Sequence, residues 1–124
     1  MVESENIALV RAFIASWSTL DVDQIVNYFA DDGVYHNMPI APVAGKAALR
    51  PFIAAFLNGW TRTQWDIVHI IARGDLVFAE RVDRTQVGER QVYLPCCGVF
   101  EISNGKIARW RDYFDMATYR NALA

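Results

Sequence analysis

The second half of this chain is a set of alternating runs joined by very short connections. Segments 61–72, 75–87, 90–102 and 106–115 are separated only by Arg73-Gly74, Gly88-Glu89 and Asn104-Gly105. Apolar–polar alternation is the strand period. Asn-Gly between two such runs is a strong hairpin signal, because both residues accept the positive φ of a tight turn. Connections this short join only antiparallel neighbours. A long antiparallel meander is therefore predicted.

The first half reads as helix. Ile7, Val10, Phe13, Ile14 and Trp17 recur at helical spacing behind Ser4, a candidate N-cap. Asp21 with Gln24 resembles a capping box, starting a second helix through Ile25, Val26, Tyr28 and Phe29. Asp31-Asp32-Gly33 is expected to end it, with a short strand over 34–38 closed by Pro39. Gly45 precedes a third helix through Leu49, Phe52, Ile53, Phe56 and Leu57, which Pro51 predicts to start only shortly before it. The result is one α+β domain over 1–124. Its curved, mainly antiparallel sheet forms a cone, with three to four helices packed over the concave face, and such a mouth suits a small molecule.

Composition narrows the function. The chain has 124 residues, 12 Lys+Arg against 14 Asp+Glu and a formal charge of -2, so it carries no basic footprint for nucleic acid. No apolar run approaches the ~18 residues of a membrane span. The acidic start Met1-Val2-Glu3-Ser4-Glu5 lacks a secretory layout, and a cytoplasmic location is expected. Cys96 and Cys97 are adjacent, too close for an ordinary disulfide. With no other cysteine and two distant histidines, a zinc site is not expected, and both cysteines read as small strand residues.

Polar groups that break the alternation mark the candidate site. In the last run Ala108, Trp110, Asp112 and Phe114 share one side, so Asp112 sits in an apolar row. An unpaired buried carboxylate is costly; it must be hydrogen-bonded, protonated or used. In 75–87, Val77, Ala79, Arg81 and Asp83 form one row and Leu76, Phe78, Glu80 and Val82 the other. Both rows begin apolar, which predicts that both faces are covered at that end. Arg81 and Asp83 can pair; the ordinary reading is a surface ion pair of small value, and a cavity shared with Asp112 would change that. Tyr35 and Asn37 face together, with His36 facing away, and can orient a water or polar ligand. His69, in the row Trp65, Ile67, His69, Ile71, reads as a core histidine with its hydrogen bonds met. Trp17, Phe52, Phe56 and Trp60 read as core, and there is no phosphate loop and no Ser-His-Asp arrangement.

Two nearby carboxylates cannot both ionise cheaply. The protonated one can donate and the ionised one can take a proton from water, which suits opening of a strained ring such as an epoxide without metal or cofactor. Spacing leaves the roles open. Arg81 beside Asp83 favours ionised Asp83, while the apolar row favours protonated Asp112. Whether the two meet depends on register across two turns, where a one-residue change flips a face.

The segments Val34-Tyr35-His36-Asn37-Met38-Pro39, Glu80-Arg81-Val82-Asp83 and Trp110-Arg111-Asp112-Tyr113-Phe114-Asp115 resemble the limonene-1,2-epoxide hydrolase family in order and separation, over nearly the whole chain. The resemblance implies the cone of nuclear transport factor 2 and ketosteroid isomerase, direct attack of water on an epoxide, no cofactor, and a homodimer. It implies Asp112 as general base, Tyr35 and Asn37 positioning the water, Asp83 as acid, and Arg81 bridging the aspartates. Pocket walls are expected from Trp17, Phe56, Leu94, Cys96 and Phe114. Pro95 implies an edge or bulge in its strand, and Trp60 with Phe56 narrows the pocket relative to a terpene epoxide site. A ketosteroid-isomerase-like or polyketide-cyclase-like enzyme, needing one base and an oxyanion donor pair, and a non-catalytic binding module are the alternatives.

Overall fold

The structure, a computed structural model, describes residues 2–124. Helix α1 (Val2–Ser16) buries Val10, Phe13 and Ile14, and a 3-10 turn (Trp17–Thr19) buries Trp17. Because α1 already starts at Val2, Ser4 lies inside its first turn and is not the N-cap; Glu3 and Glu5 supply the negative charge that a helix start favours. Asp21 does cap α2 (Val22–Val26), accepting from the Asp23 and Gln24 backbone N–H groups, and the Gln24 side chain donates back to its carboxylate.

Helix α2 is shorter than its apolar pattern predicts. Phe29 already opens strand β1 (Phe29–Asn37), so Asp31-Asp32-Gly33 lies within a strand and ends no helix. The strand is irregular there, shifting register against its neighbour between Phe29 and Val34. Gly33 allows the kink: a Cβ on it would sit 3.0 Å from the carbonyl oxygens of Ala30 and Ile107. After strand β2 (Val43–Ala44), helix α3 runs Lys46–Leu57. Pro51 is its sixth residue, in the second turn and not the first; the helix tolerates the lost donor because Leu49 and Ile53 on either side are fully buried.

Strands β3 (Trp60–Arg73), β4 (Leu76–Val87), β5 (Arg90–Ser103) and β6 (Lys106–Phe114) form the expected meander, and helix α4 (Met116–Leu123) follows. Asn104 and Gly105 both take positive φ, 51° and 71°, as the hairpin reading requires. The sheet order is β2-β1-β6-β5-β4-β3, antiparallel except where β1 runs parallel to β6. Helix α1 crosses β3 and β4, α3 packs on β1, and α4 lies against β5. The curved sheet and its helices make the predicted α+β cone.

Two of the register shifts in the sheet reset the faces of the meander. In β3 the pairing slips between Ile67 and His69, so Thr63 and Trp65 point inward before it, and Ile70 and Ala72 after it. His69 is consequently exposed and hydrogen-bonded to Glu80 at 2.9 Å, which overturns its placement in the core row. A second slip, between β5 and β6, buries Ile107 in place of Ala108. Pro95 pairs with Val82 without a shift, and β6 first meets β5 at Cys96, so Pro95 lies where β5 has become an edge. The start of β4 is covered on one face only: Val77 is fully buried, while Leu76 and Phe78 are 38% and 39% exposed.

Candidate active site

The inner end of the cone is aromatic. Trp110 stacks face to face with Tyr35 (centroids 4.2 Å apart, planes at 4°) and with Phe100 (5.3 Å, 14°), and Phe13 presents its edge to both Trp110 and Phe29. These rings pin β1 and β6 together in register, with Tyr35 opposite Trp110 and Asn37 opposite Asp112. A buried phenol, amide and carboxylate thus converge on one point, each about 4% exposed.

Strand β4 brings the other half. Arg81 is opposite Cys96 on β5, and Asp83 is opposite Leu94. Asp112 on β6 is opposite Gly98 on β5, so a whole strand lies between Arg81 and Asp112. They meet because Gly98 has no side chain: a Cβ there would fall 2.9 Å from Arg81 Nη1 and 2.8 Å from Trp110 Nε1 and from Phe100. Arg81 donates from Nε and Nη2 to Asp83 at 2.8 and 3.1 Å, and from Nη1 and Nη2 to Asp112 at 2.9 and 2.7 Å. Both pairs are forked, the strong form of a buried ion pair. The guanidinium lies over the rings of Trp65 (4.6 Å) and Trp110 (5.5 Å).

Electrostatics follow from burial. The Asp83 carboxyl is pushed up to about 6: burial raises it, Arg81 pulls it down, and the Asp112 charge raises it again. The attraction of Arg81, expected to keep Asp83 ionised, is therefore outweighed. Burial also acts against the charge on Arg81, but Asp112 and Asp83 more than offset it, so Arg81 stays a cation. Burial, followed by Asp112, holds the Tyr35 phenol well above its ordinary value, leaving a neutral hydroxyl. Burial likewise pushes the Cys96 thiol up. Asp83, Cys96 and Asp112 present three ligand-type atoms within 4.8 Å of one another, yet the cation bound by both carboxylates is Arg81.

A cavity of about 240 Å³ opens onto this cluster. Tyr35, Asn37, Asp83 and Asp112 form its polar end, and Phe56, Trp60, Trp65, Leu94 and Phe114 its apolar walls. Trp17 and Cys96 do not line it. Trp17 is fully buried behind Trp65, stacked at 4.4 Å, and the Cys96 thiol is turned to the Arg81 and Leu94 carbonyls. Ile40 and, from α4, Met116, Tyr119, Arg120 and Leu123 complete the wall.

Comparison with known proteins agrees with this geometry. Residues 4–124 match the model of the limonene-1,2-epoxide hydrolase catalytic domain. The chain belongs to the limonene-1,2-epoxide hydrolase family. Among its relatives, the epoxide hydrolase EphG of Mycobacterium tuberculosis (strain ATCC 25618 / H37Rv) is 33% identical over 107 residues, covering 86% of this chain and 71% of that protein. The solved structure of an M. tuberculosis limonene-1,2-epoxide hydrolase-like epoxide hydrolase superposes with a TM-score of 0.85 at 30% identity, over 98% of this chain and 90% of that one. A putative polyketide cyclase from Xanthomonas campestris pv. campestris shares the fold alone, with a TM-score of 0.89 at 21% identity over the full length of both chains.

For this limonene-1,2-epoxide hydrolase family member, sequence reasoning missed Gly98, Trp65 and the α4 wall. Gly98 carried a signal, a glycine inside a strand pattern, which marks a close approach. The inward turn of Trp65 toward Arg81 follows from the β3–β4 register, where Trp65 faces Asp83. The α4 residues left no pattern, because that helix buries no residue fully.

Proposed function

We propose that this chain opens a small cyclic or terpene-like epoxide to a vicinal diol by direct attack of water. The observation that carries this reading is the pair of buried carboxylates held by one guanidinium at the polar end of an apolar cavity, with Asp83 pushed up to about 6. Tyr35 and Asn37 hold the water. Asp112 takes its proton as the water oxygen bonds to an epoxide carbon. The carbon–oxygen bond breaks, and Asp83 protonates the departing oxygen in the same step. Arg81 bridges both aspartates and keeps their total charge bearable while the proton moves from one side to the other. Neither a metal nor an organic cofactor enters the scheme. The cavity, about 240 Å³, is smaller than the roughly 300–1,000 Å³ typical of drug-sized ligands, which favours a small substrate.

Carbon-acid chemistry, as in ketosteroid-isomerase-like or polyketide-cyclase-like enzymes, rests on the shared cone alone, and fold does not carry function. A bridged acid–base pair suits water activation better than enolate formation.

A homodimer, if formed as this reading holds, would pair through the outer face of the sheet. There Ile71 on β3 and Phe78 on β4 lie side by side, 66% and 39% exposed, next to Val99 of β5, which is itself buried. A second copy would cover this patch.

The test is diol formation from a small cyclic epoxide in oxygen-18 water under single turnover, with Asp112→Asn alongside. Label in the first-turnover diol and an inactive variant are expected. Unlabelled diol would mean a covalent intermediate, and no diol from several epoxides would return the question to the cyclase-like and binding readings.

A further inference from the structure

Behind the cluster lies a second polar group that the scheme above leaves unused. Thr63 and Thr85 face each other across β3 and β4, both buried, at 3% and 4% exposure. Valine has the same shape and would fit both positions without burying a hydroxyl. The Thr63 hydroxyl is nevertheless fully engaged. Thr63 Oγ1 lies 2.7 Å from Thr85 Oγ1, 3.0 Å from Trp65 Nε1 and 3.2 Å from the Arg84 carbonyl oxygen.

The directions of these bonds can be assigned. A hydroxyl has one hydrogen and two lone pairs. A carbonyl only accepts, so Thr63 gives its hydrogen to Arg84. An indole N–H only donates, so Trp65 takes one lone pair of Thr63. The other lone pair accepts the hydrogen of Thr85. No capacity on Thr63 is left over, and the Trp65 indole is held in one orientation.

That orientation matters to Arg81. The four guanidinium–carboxylate bonds fix Arg81 within its own plane. The Trp65 face, 4.6 Å from Cζ, limits motion out of that plane, and Trp17 backs the ring at 4.4 Å. Trp17 and Trp110, the indoles packed against Trp65, have buried Nε1 atoms without partners, so neither is locked in this way.

Resting on the acid–base reading above, we propose that the Thr63–Thr85 hydroxyl pair acts through Trp65 as a positioning device for Arg81, and hence for Asp83 and Asp112. Thr63 and Thr85 touch no reacting atom; they set how squarely the guanidinium meets the two carboxylates. Geometry errors well under an ångström at such a centre are costly in rate.

The test uses Thr63→Val, which keeps the shape and removes the acceptor, and Thr63→Ser, which restores it. Trp65→Phe keeps a ring without the N–H. Two readouts are taken on each full-length variant: steady-state kinetics on a small cyclic epoxide across pH, and a carbon-13 NMR titration of the Asp83 carboxyl. Thr63→Val is expected to lower kcat about tenfold with KM nearly unchanged, and to move the Asp83 midpoint upward as Arg81 loosens. Trp65→Phe should move kcat and the midpoint the same way, and Thr63→Ser should return both to parental values. A lower melting temperature with parental kcat, pH profile and Asp83 midpoint would reduce the pair to a packing element and overturn the proposal. The NMR titration needs no turnover. If the parent forms no diol, the epoxide reading fails, and the Asp83 midpoint alone still decides whether the hydroxyl pair governs Arg81.

Discussion

Arg81 and Asp112 form a forked ion pair across a strand that belongs to neither of them, with Nη2 2.7 Å from Oδ2. The same guanidinium holds Asp83 by a second fork. One cation therefore satisfies two buried anions, and removing it would strand both.

Arg81→Ala should accordingly destabilise the fold by about 3–5 kcal/mol, the usual cost of leaving a buried charge without its partner. Urea unfolding at neutral pH measures this. Arg81→Lys retains charge but not the fork and should be intermediate in stability while losing most activity. Parental stability in Arg81→Ala would mean that the carboxylates are already neutral or solvated.

Gly98→Ala adds a methyl group that would fall 2.8–2.9 Å from three side chains. Trp110 is held between Tyr35 and Phe100, so Arg81 is the group that must give way. A stability loss of about 1–3 kcal/mol from overpacking is expected, with a fall in kcat larger than any change in KM. Parental kcat in Gly98→Ala would show that the guanidinium does not need this gap.

The raised Asp83 carboxyl has consequences for pH in both activity and stability. As an acid it works while protonated, so kcat should fall as pH rises through about 6. In the unfolded chain the same group titrates near ~3.9. The folded state therefore binds the extra proton between these values, and the stability tied to it is complete below ~3.9 and lost as pH rises through about 6. Asp83→Asn should flatten that part of the stability–pH curve, as read by urea midpoints across the window. An unaltered curve would place the titration elsewhere.

Trp60 forms a wall of the cavity and is only partly buried, packed near-parallel to Phe56. Trp60→Ala should enlarge the cavity at modest cost to stability. It should raise kcat/KM for a bulky bicyclic epoxide relative to cyclohexene oxide, measured as a competition between the two. An unchanged ratio would mean that Trp60 does not limit substrate size.

On the outer face, Phe78→Asp should convert a dimer to a monomer in analytical ultracentrifugation, because a carboxylate would be buried opposite apolar Ile71 and Val99. A parent that is already monomeric would dismiss this interface.

The parts of this fold that the residue pattern revealed are those governed by local chemistry. The Asn104-Gly105 turn and the Asp21 cap depend on a few neighbouring atoms and could be read directly. Asp112 stood out because its neighbours in the row are apolar. His69 was misplaced because the slip after Ile67 is set by pairing with β4, to which the β3 sequence alone is blind. Phe29 was read as helical because its spacing fits a helix, yet it is more stable as the first residue of a strand against Ile107. The raised Asp83 carboxyl was not legible for a similar reason. Charge proximity shows in a sequence, whereas the loss of solvation that outweighs it depends on everything packed around the pair.

The empty position at Gly98 also bears on how such a site could be transplanted. Protein engineers who move catalytic groups between cones of this kind would naturally begin with the aspartates and the arginine. On a host whose middle strand carries any side chain at the corresponding place, those three groups could be installed correctly and still fail to join. The graft would have to begin by deleting atoms from a residue that never touches the substrate.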